Sequence, residues 1–374
     1  MAIVEATQFF VYVAGSDVST RFASRLIKLT VTDTAGRNAD TATIELDDTY
    51  GSIGMPQEKA SVIVALGTSD GGVMQVFDGV VDDVNHIFDR GAGRRITVEA
   101  KSADTHGKQK EEQTIHNDDK SVQDAVKEAA QKAGVEMSFP SGLGNEKRKY
   151  IAQDHESFLH FAERMAREVG ATFKMIGGKR GVFLDRNSGK TVGGGAVGNV
   201  TAQVGKNLIT SRISPILSRP AFADVRARWY DVKKAKWMEE KVQIEGDGGG
   251  KSEDVAAHIR HSKFDAAEGK EHGKSAGKES SRDKGSGTVV IDGNPAARAE
   301  GICTVVGVRP GVDGAYIIDN AKHELARGSG YRTTLTLKRP GGEAGKDSRK
   351  AGKSSGGGKG TGGGGETQWP NEFD

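Results

Sequence analysis

From residue 8 to about 100, apolar and polar residues alternate in short runs. QFFVYVAG, RLIKLTVTD, TATIELDD, SVIVALG, VFDGVVDDVNHIF and RRITVEAKS are rich in Val, Ile, Thr and Phe and are parted by Gly, Asp, Asn and Ser. In TATIELDD, Ala42, Ile44 and Leu46 fall on one face and Thr43, Glu45 and Asp47 on the other, the period of a strand. Six or seven such strands predict a small antiparallel barrel or sandwich over residues 1–104. The period then lengthens. Ser121, with Asp124 three residues on, opens a run with Val122, Ala125, Val126, Ala129 and Ala133 at helical spacing, closed by Gly134. A second helix, capped by Asp154 or Ser157, carries Phe158, Leu159, Phe161, Ala162, Met165, Ala166 and Val169 as its apolar stripe and ends at Gly170. Two strands about a glycine turn, ATFKMIGG and RGVFLDRN, complete a small α/β unit over 105–188.

A glycine-rich link, TVGGGAVGN, leads into NLITSRISPIL, ADVRARWYDV and KAKWMEEKVQIEG, so residues 189–246 are expected to hold a linker and the start of a second β-barrel. From 247 to 287 aliphatic and aromatic residues almost vanish; Ala, Glu and Lys permit helix there, but the apolar surface is too small to hold it by packing, which predicts a solvated, partly frayed helix. Strands return at GTVVIDG, GICTVVGVR, GAYIIDNAKHEL and YRTTLTLKR, placing the rest of the second barrel at 288–340. Residues 341–374 form a tail whose stretch 341–365 holds 12 glycines and no large apolar residue, the composition of a flexible linker. Trp369 and Phe373 near its end suggest a docking peptide. The expected fold class is mainly β with an α+β middle: two small β-barrels flanking an α/β unit.

Composition narrows the chemistry. With 374 residues there is room for two to four domains, and 53 basic against 51 acidic residues leave a net charge of +2. No global field draws the chain to nucleic acid or to a membrane surface. The single cysteine, Cys303, forbids an intrachain disulfide and, lying in the apolar run ICTVVGV, reads as a buried, inert thiol. The start, MAIVEATQFF, lacks the basic and apolar regions of a secretion signal, and no apolar run approaches the roughly 18 residues needed to span a bilayer. Gly193, Gly195 and Gly198 match G-x-G-x-x-G in form, but strand-like NVTAQVG follows where a dinucleotide site needs a helix. His258 and His261 share a helical spacing without a third metal ligand nearby, and neither His155-Glu156 nor His323-Glu324 has the second histidine of H-E-x-x-H. Asp47-Asp48 and Asp82-Asp83 are neighbours whose side chains point to opposite faces of a strand. Seven basic residues between Lys338 and Lys359 against two acids make a modest basic tether with no interleaved aromatics. No catalytic, cofactor or metal residues are assigned.

Three blocks carry a resemblance: VYVAGSDVSTRFASRLIKLTVTDTAGRNADTATIELDD, YIAQDHESFLHFAERMAREVGATFKMIGGKRGVFLDR and GVDGAYIIDNAKHELARGSGYRTTLTLKRP. Their most specific positions are Gln153, Glu156, Ser157 and Phe161 leading to Glu168-Val169-Gly170-Ala171, and Asp313-Gly314-x-Tyr316 followed by His323 and Gly330-Tyr331-x-Thr333. Over about residues 8 to 340 the chain resembles the late control protein D family, the baseplate hub proteins of contractile-tailed phages, whose fold also heads the type VI secretion spike. The resemblance implies a structural, non-enzymatic protein of the virion's tail baseplate, made in the host bacterial cytoplasm. It further implies a homotrimeric ring in which two tail-tube-like barrels per subunit make a pseudo-sixfold surface. The tail tube protein, the central spike protein, other baseplate proteins and the tape measure protein are the implied partners, with no specific nucleic acid and no membrane insertion. A type VI spike would need a long strand-repeat needle after the hub, and a fused cell-wall hydrolase would need a carboxylate pair in a spare domain. A glycine-rich tether follows the hub where the needle would stand, and no spare domain is left between 8 and 340.

Overall fold

The computed structural model describes residues 7–346 apart from 37–38, 70, 92, 216–223, 232–233, 244–255, 260–265, 284 and 342. The first half is β1 (Thr7–Val13), β2 (Ser16–Asp17), the short α1 (Ser19–Ala23), β3 (Leu26–Thr34), β4 (Thr41–Asp47), β5 (Ser61–Thr68), β6 (Gly72–Asp89) and β7 (Gly93–Lys101). Ala42, Ile44 and Leu46 point into its core with Leu29, Val62, Val64, Ile96 and Val98, as the period of two requires.

The middle unit comprises β8 (Glu112–Ser121), α2 (Val122–Lys132), β9 (Glu136–Ser138), β10 (Lys147–Ser157), α3 (Phe158–Glu168), β11 (Ala171–Ile176) and β12 (Arg180–Asp185). Ser121 and Ser157 are the N-caps, each accepting from the amide three residues on (Asp124 at 3.1 Å, His160 at 3.4 Å), and Gly134 and Gly170 end the helices with φ of 71° and 72°. Phe158, Phe161 and Met165 are fully buried against Phe173 and Phe183.

The second half follows as β13 (Asn199–Gln203), β14 (Leu208–Ser214), β15 (Asp224–Asp231), β16 (Lys236–Gln243), β17 (Ala256–His258), α4 (Ala266–Arg282), β18 (Ser286–Asp292), β19 (Ile302–Val306), β20 (Gly314–Ala326) and β21 (Gly330–Gly341). Within it β13, β19, β20, β21, β18 and β14 lie side by side in that order, and the first half runs β1, β5, β6, β7, β4, β3. With β2 and the β15–β17 sheet left out, the six remaining strands of each half, numbered along the chain, both read first, fourth, fifth, sixth, third, second. Neighbours are antiparallel throughout, except that β13 runs parallel to β19 where β1 runs antiparallel to β5.

Three expectations change. The ladders of the two halves do not close into separate barrels among the described residues. They join in one 13-stranded sheet, because β20 pairs with β19 near its start and with β3 over Asn320–Ala326. β15 and β16, expected within the second barrel, form a separate three-stranded sheet with β17. The polar insert holds α4 as a packed helix, not a solvated one. Gly269, Gly273, Gly277 and Ser281 make a buried stripe at four-residue spacing. A Cβ at Gly273 would stand 2.5 Å from Val242 Cγ2 on β16. Close approach of small residues replaces apolar burial, and ion pairs do the rest: Arg148 bridges Glu168 of α3 and Glu271 of α4, the latter at 2.9 Å, and the Ser275 hydroxyl donates to the Arg167 carbonyl.

Candidate functional site

The two halves, the middle unit and α4 converge on a polar joint beneath the β3·β20 seam. The seam runs antiparallel from Asn320 opposite Thr34 to Ala326 opposite Lys28. On its buried face His323 places Nε2 3.1 Å from the Ala297 carbonyl and Nδ1 2.9 Å from the Tyr331 hydroxyl, with the Thr333 hydroxyl at 3.3 Å. A carbonyl can only accept, so Nε2 carries the proton and Nδ1 accepts. Burial, and then the charge of Arg298, pushes the imidazole down to about 4; at neutral pH it is an uncharged hydrogen-bonding post.

Beside it on β3, Asp33 meets Lys174 of β11, whose ammonium also lies 3.2 Å from Asp40. The other Asp33 oxygen accepts from the Ala299 amide at 3.2 Å. Burial drives both carboxyls up, but Lys174 with Arg298 and the Ala299 amide holds Asp33 below its ordinary value. Asp40 shares the same cation, is repelled by Asp33, and is raised to about 6. Lys174, between two anions, is held above the ordinary lysine value despite its burial. Arg298, from the loop between β18 and β19, crosses to the first half and donates to the carbonyls of Gln75 and Val76, the latter at 2.8 Å.

The same loop carries Glu300, buried and with φ of 66°. It accepts from Arg282 at the end of α4 (2.7 Å), from the Thr172 hydroxyl of β11 (2.9 Å) and from the Asn187 amide (3.3 Å), while Arg282 also reaches Asp319 of β20 at 2.8 Å. One carboxylate thus ties together the insert, the middle unit and the second half. Charged groups this buried leave a strongly destabilised remnant when one partner is removed, which makes the joint a rigid clamp.

The positions that carried the resemblance have structural work here. Asp313 accepts from the amides of Gly307, Val308 and Arg309 at 2.8–3.2 Å, and the Tyr316 hydroxyl donates to the Val312 carbonyl at 2.6 Å. His323, Tyr331 and Thr333 meet in the joint. Gln153 donates to the Glu156 carbonyl at 2.8 Å, and Glu168 is drawn down to about 2 because His272 and Arg148 outweigh its burial. Asp33, Lys174, Arg282, Arg298 and Glu300 carry no local motif, and only their meeting across the chain marks them.

Cys303 is buried on β19, and burial pushes its thiol up to about 12. Gly193, Gly195 and Gly198 precede a strand, β13, as the sequence suggests. His258 ends β17, while His261, Trp369 and Phe373 lie outside the described residues. Among the described residues no three His, Cys, Asp or Glu side chains are grouped as metal ligands, and no helix is long and apolar enough to cross a membrane. The exposed apolar side chains include two neighbouring pairs. Ile87 (50% exposed) and Phe88 (68%) stand at the end of the β6–β7 hairpin, and Trp237 (62%) packs edge-on against Tyr230 on β15–β16.

The chain is similar to known proteins. The chain is 31% identical over 241 residues to the probable baseplate hub protein of Escherichia phage 186 and 30% identical over 220 residues to that of Escherichia phage P2. These matches cover 64% and 59% of this chain and span 60% and 55% of those relatives' length. The fold is similar to that of the 43 kDa tail protein of prophage MuSo2 from Shewanella oneidensis, with a TM-score of 0.66 at 13% identity, covering 90% of this chain and 99% of that one. It is also similar to an E. coli component of the type VI secretion system, with a TM-score of 0.54 at 13% identity, covering 91% and 79%. The family model for the phage tail baseplate hub (GPD) matches residues 24–329, and the chain belongs to that family.

Proposed function

We propose that three copies of this chain form the hub ring of a phage-type tail baseplate, with one face on the sixfold tail tube and the other on the trimeric central spike. The observation that carries this reading is the repeated strand order: each chain presents two six-strand modules, clamped into one sheet through β3 and β20. Three chains then offer six equivalent module edges to a sixfold partner while remaining threefold toward the other, which resolves a symmetry mismatch without a second gene product. Kinship with curated phage hubs near 30% identity favours a phage or phage-derived tail over a type VI spike, for which the likeness is one of fold. The assembled protein belongs to the virion's baseplate, after synthesis in the host cytoplasm, with other baseplate proteins and the tape measure protein as neighbours. Trp369 and Phe373 serve as a docking peptide for a neighbouring subunit or the spike. Native mass spectrometry of the hub released from purified tails tests the count: three chains per ring are expected, and six or one would refute the ring.

A further inference from the structure

The two modules agree beyond strand order, down to their irregularities. In the β6–β7 hairpin the register slips between Val81 and Asp83, and in the β20–β21 hairpin it slips between Ile318 and Asn320; counted back from the mouths Asp89–Gly93 and Ala326–Gly330, these are the same positions. In β3 against β4 a slip falls between Leu26 and Lys28, and in β14 against β18 it falls between Leu208 and Thr210. These landmarks align the modules residue by residue. His86 corresponds to His323, Ile87 to Glu324 and Phe88 to Leu325; on the other strand, Leu29 corresponds to Ser211, Thr30 to Arg212 and Val31 to Ile213.

Within the chain, the far half of β20 uses its outer edge to bind β3. The far half of β6 has the corresponding edge, but beyond Val81, whose amide donates to the Ala60 carbonyl, only β7 pairs with it among the described residues. β14 corresponds to β3, and only β18 lies beside it there. One chain therefore carries one made joint and the two unmatched halves of a second. Burial follows the same logic. Leu29, Val31 and His323 are fully buried at the made joint, whereas Ser211, His86 and Phe88 are exposed. A long strand edge next to an exposed Phe and Ile is a ready template for another strand.

We propose that His86–Phe88 of β6 pairs antiparallel with Ser211–Ile213 of β14 in a second copy of this chain. The register repeats the internal joint: His86 opposite Ile213, Ile87 opposite Arg212, and Phe88 opposite Ser211. Pro215 stands where β3 has Asp33 and has no amide hydrogen to give, so the ladder ends there. The number of copies in the closed ring rests on the reading under Proposed function; the pairing does not.

The experiment is thiol pairing in full-length chains within assembled tails, where the native Cys303 is buried. Consecutive antiparallel pairs alternate between wide and close, so two double variants are made, Ile87→Cys with Arg212→Cys and Phe88→Cys with Ser211→Cys. On mild oxidation at least one should give interchain disulfides in most molecules. The variant Ile87→Cys with Thr210→Cys, two residues out of register, should give at least tenfold fewer. Native mass spectrometry of the same preparations reports the count separately. Three-chain rings without interchain disulfides in either matched variant, or equal linking in the shifted one, would overturn the pairing and leave the ring standing. Matched disulfides in an assembly of some other number would uphold the pairing and overturn the ring.

Discussion

Replacing Lys174 by methionine isolates the electrostatics of the joint. The ammonium is nearly buried between Asp33 and Asp40, and methionine fills a similar volume without charge. Both carboxyls would then lie in the interior without the ammonium they share, Asp33 keeping only Arg298 and the Ala299 amide, a loss that costs on the order of 3 to 5 kcal/mol. The pH dependence gives a sharper signature. In the folded protein Asp40 sits at about 6 against an ordinary 3.8, so the native state binds a proton that the unfolded chain does not between those values. Stability from this group rises as pH falls through that window, by about 3 kcal/mol at 1.36 kcal/mol per unit. His323 acts oppositely: at about 4 against 6.5 it stays neutral while the unfolded chain protonates, and it removes about 3 kcal/mol over nearly the same window. The wild type should therefore show little net slope from these two groups between pH 7 and 4.5. In Lys174→Met both carboxyls are raised, the histidine is untouched, and the variant should recover toward wild type as pH falls. Urea unfolding followed by circular dichroism at several pH values measures the difference. The triple variant with Asp33→Asn and Asp40→Asn removes the charges together and should stand near wild type at pH 7.5. A Lys174→Met penalty below about 1 kcal/mol at pH 7.5, or one that does not shrink on acidification, would refute the reasoning.

Phe161→Ala should cost about 3 to 5 kcal/mol in the same unfolding assay, since the ring is fully buried between α3 and the middle sheet. Gly273→Val should loosen α4 from β16 by about 1 to 3 kcal/mol, seen as faster amide exchange in α4, β15 and β16. Gly269→Ala, whose new methyl would meet Ala227 at an ordinary 3.4 Å, should leave exchange unchanged or slower. Cys303 should be inert to an aromatic disulfide reagent in the native protein and react fully in urea; rapid native reaction would contradict its burial. Deleting residues 367–374 should reduce the yield of assembled hub and spike complexes, and an unchanged yield would dismiss the docking peptide.

The parts of the fold legible in the sequence are those governed by local periodicity. Ala42, Ile44 and Leu46 announce a strand face, and Ser121, Ser157, Gly134 and Gly170 announce helix ends, because each acts on neighbours a few residues away. Hydropathy understates the packing of α4 because it rewards large apolar side chains. Its stripe of Gly269, Gly273, Gly277 and Ser281 works by letting backbones approach, and only the four-residue spacing of small residues could have disclosed it. β15 and β16 look like any amphipathic strands, and which sheet they join depends on the packing of α4 against them. The joint was the least legible. Asp33, Lys174, Arg282, Arg298 and Glu300 are ordinary charged residues in the sequence, up to 267 positions apart, and their function exists only after the chain has brought them together. Sequence motifs gave a partial signal at His323, Tyr331 and Thr333.

A repeated module brings its own hazard, and the chemistry of the joint addresses it. When β3 and β14 carry the same slip in register and β6 and β20 carry the same hairpin, backbone hydrogen bonding alone does not distinguish the correct partner of β20 from the correct partner of β6. Side chains must make the choice. At β3 the seam presents Asp33, which needs Lys174 in the buried position where β11 supplies it, and Arg298 must reach Gln75 and Val76 in the same chain. β14 offers Pro215 where Asp33 would stand, so placing it beside β20 would leave Lys174 with one carboxylate and the Ala299 amide without its acceptor. Burying unpaired polar groups costs several kilocalories per mole, enough to separate two otherwise equivalent pairings by a factor of a hundred or more. An apolar joint could be as stable, but it would accept either strand.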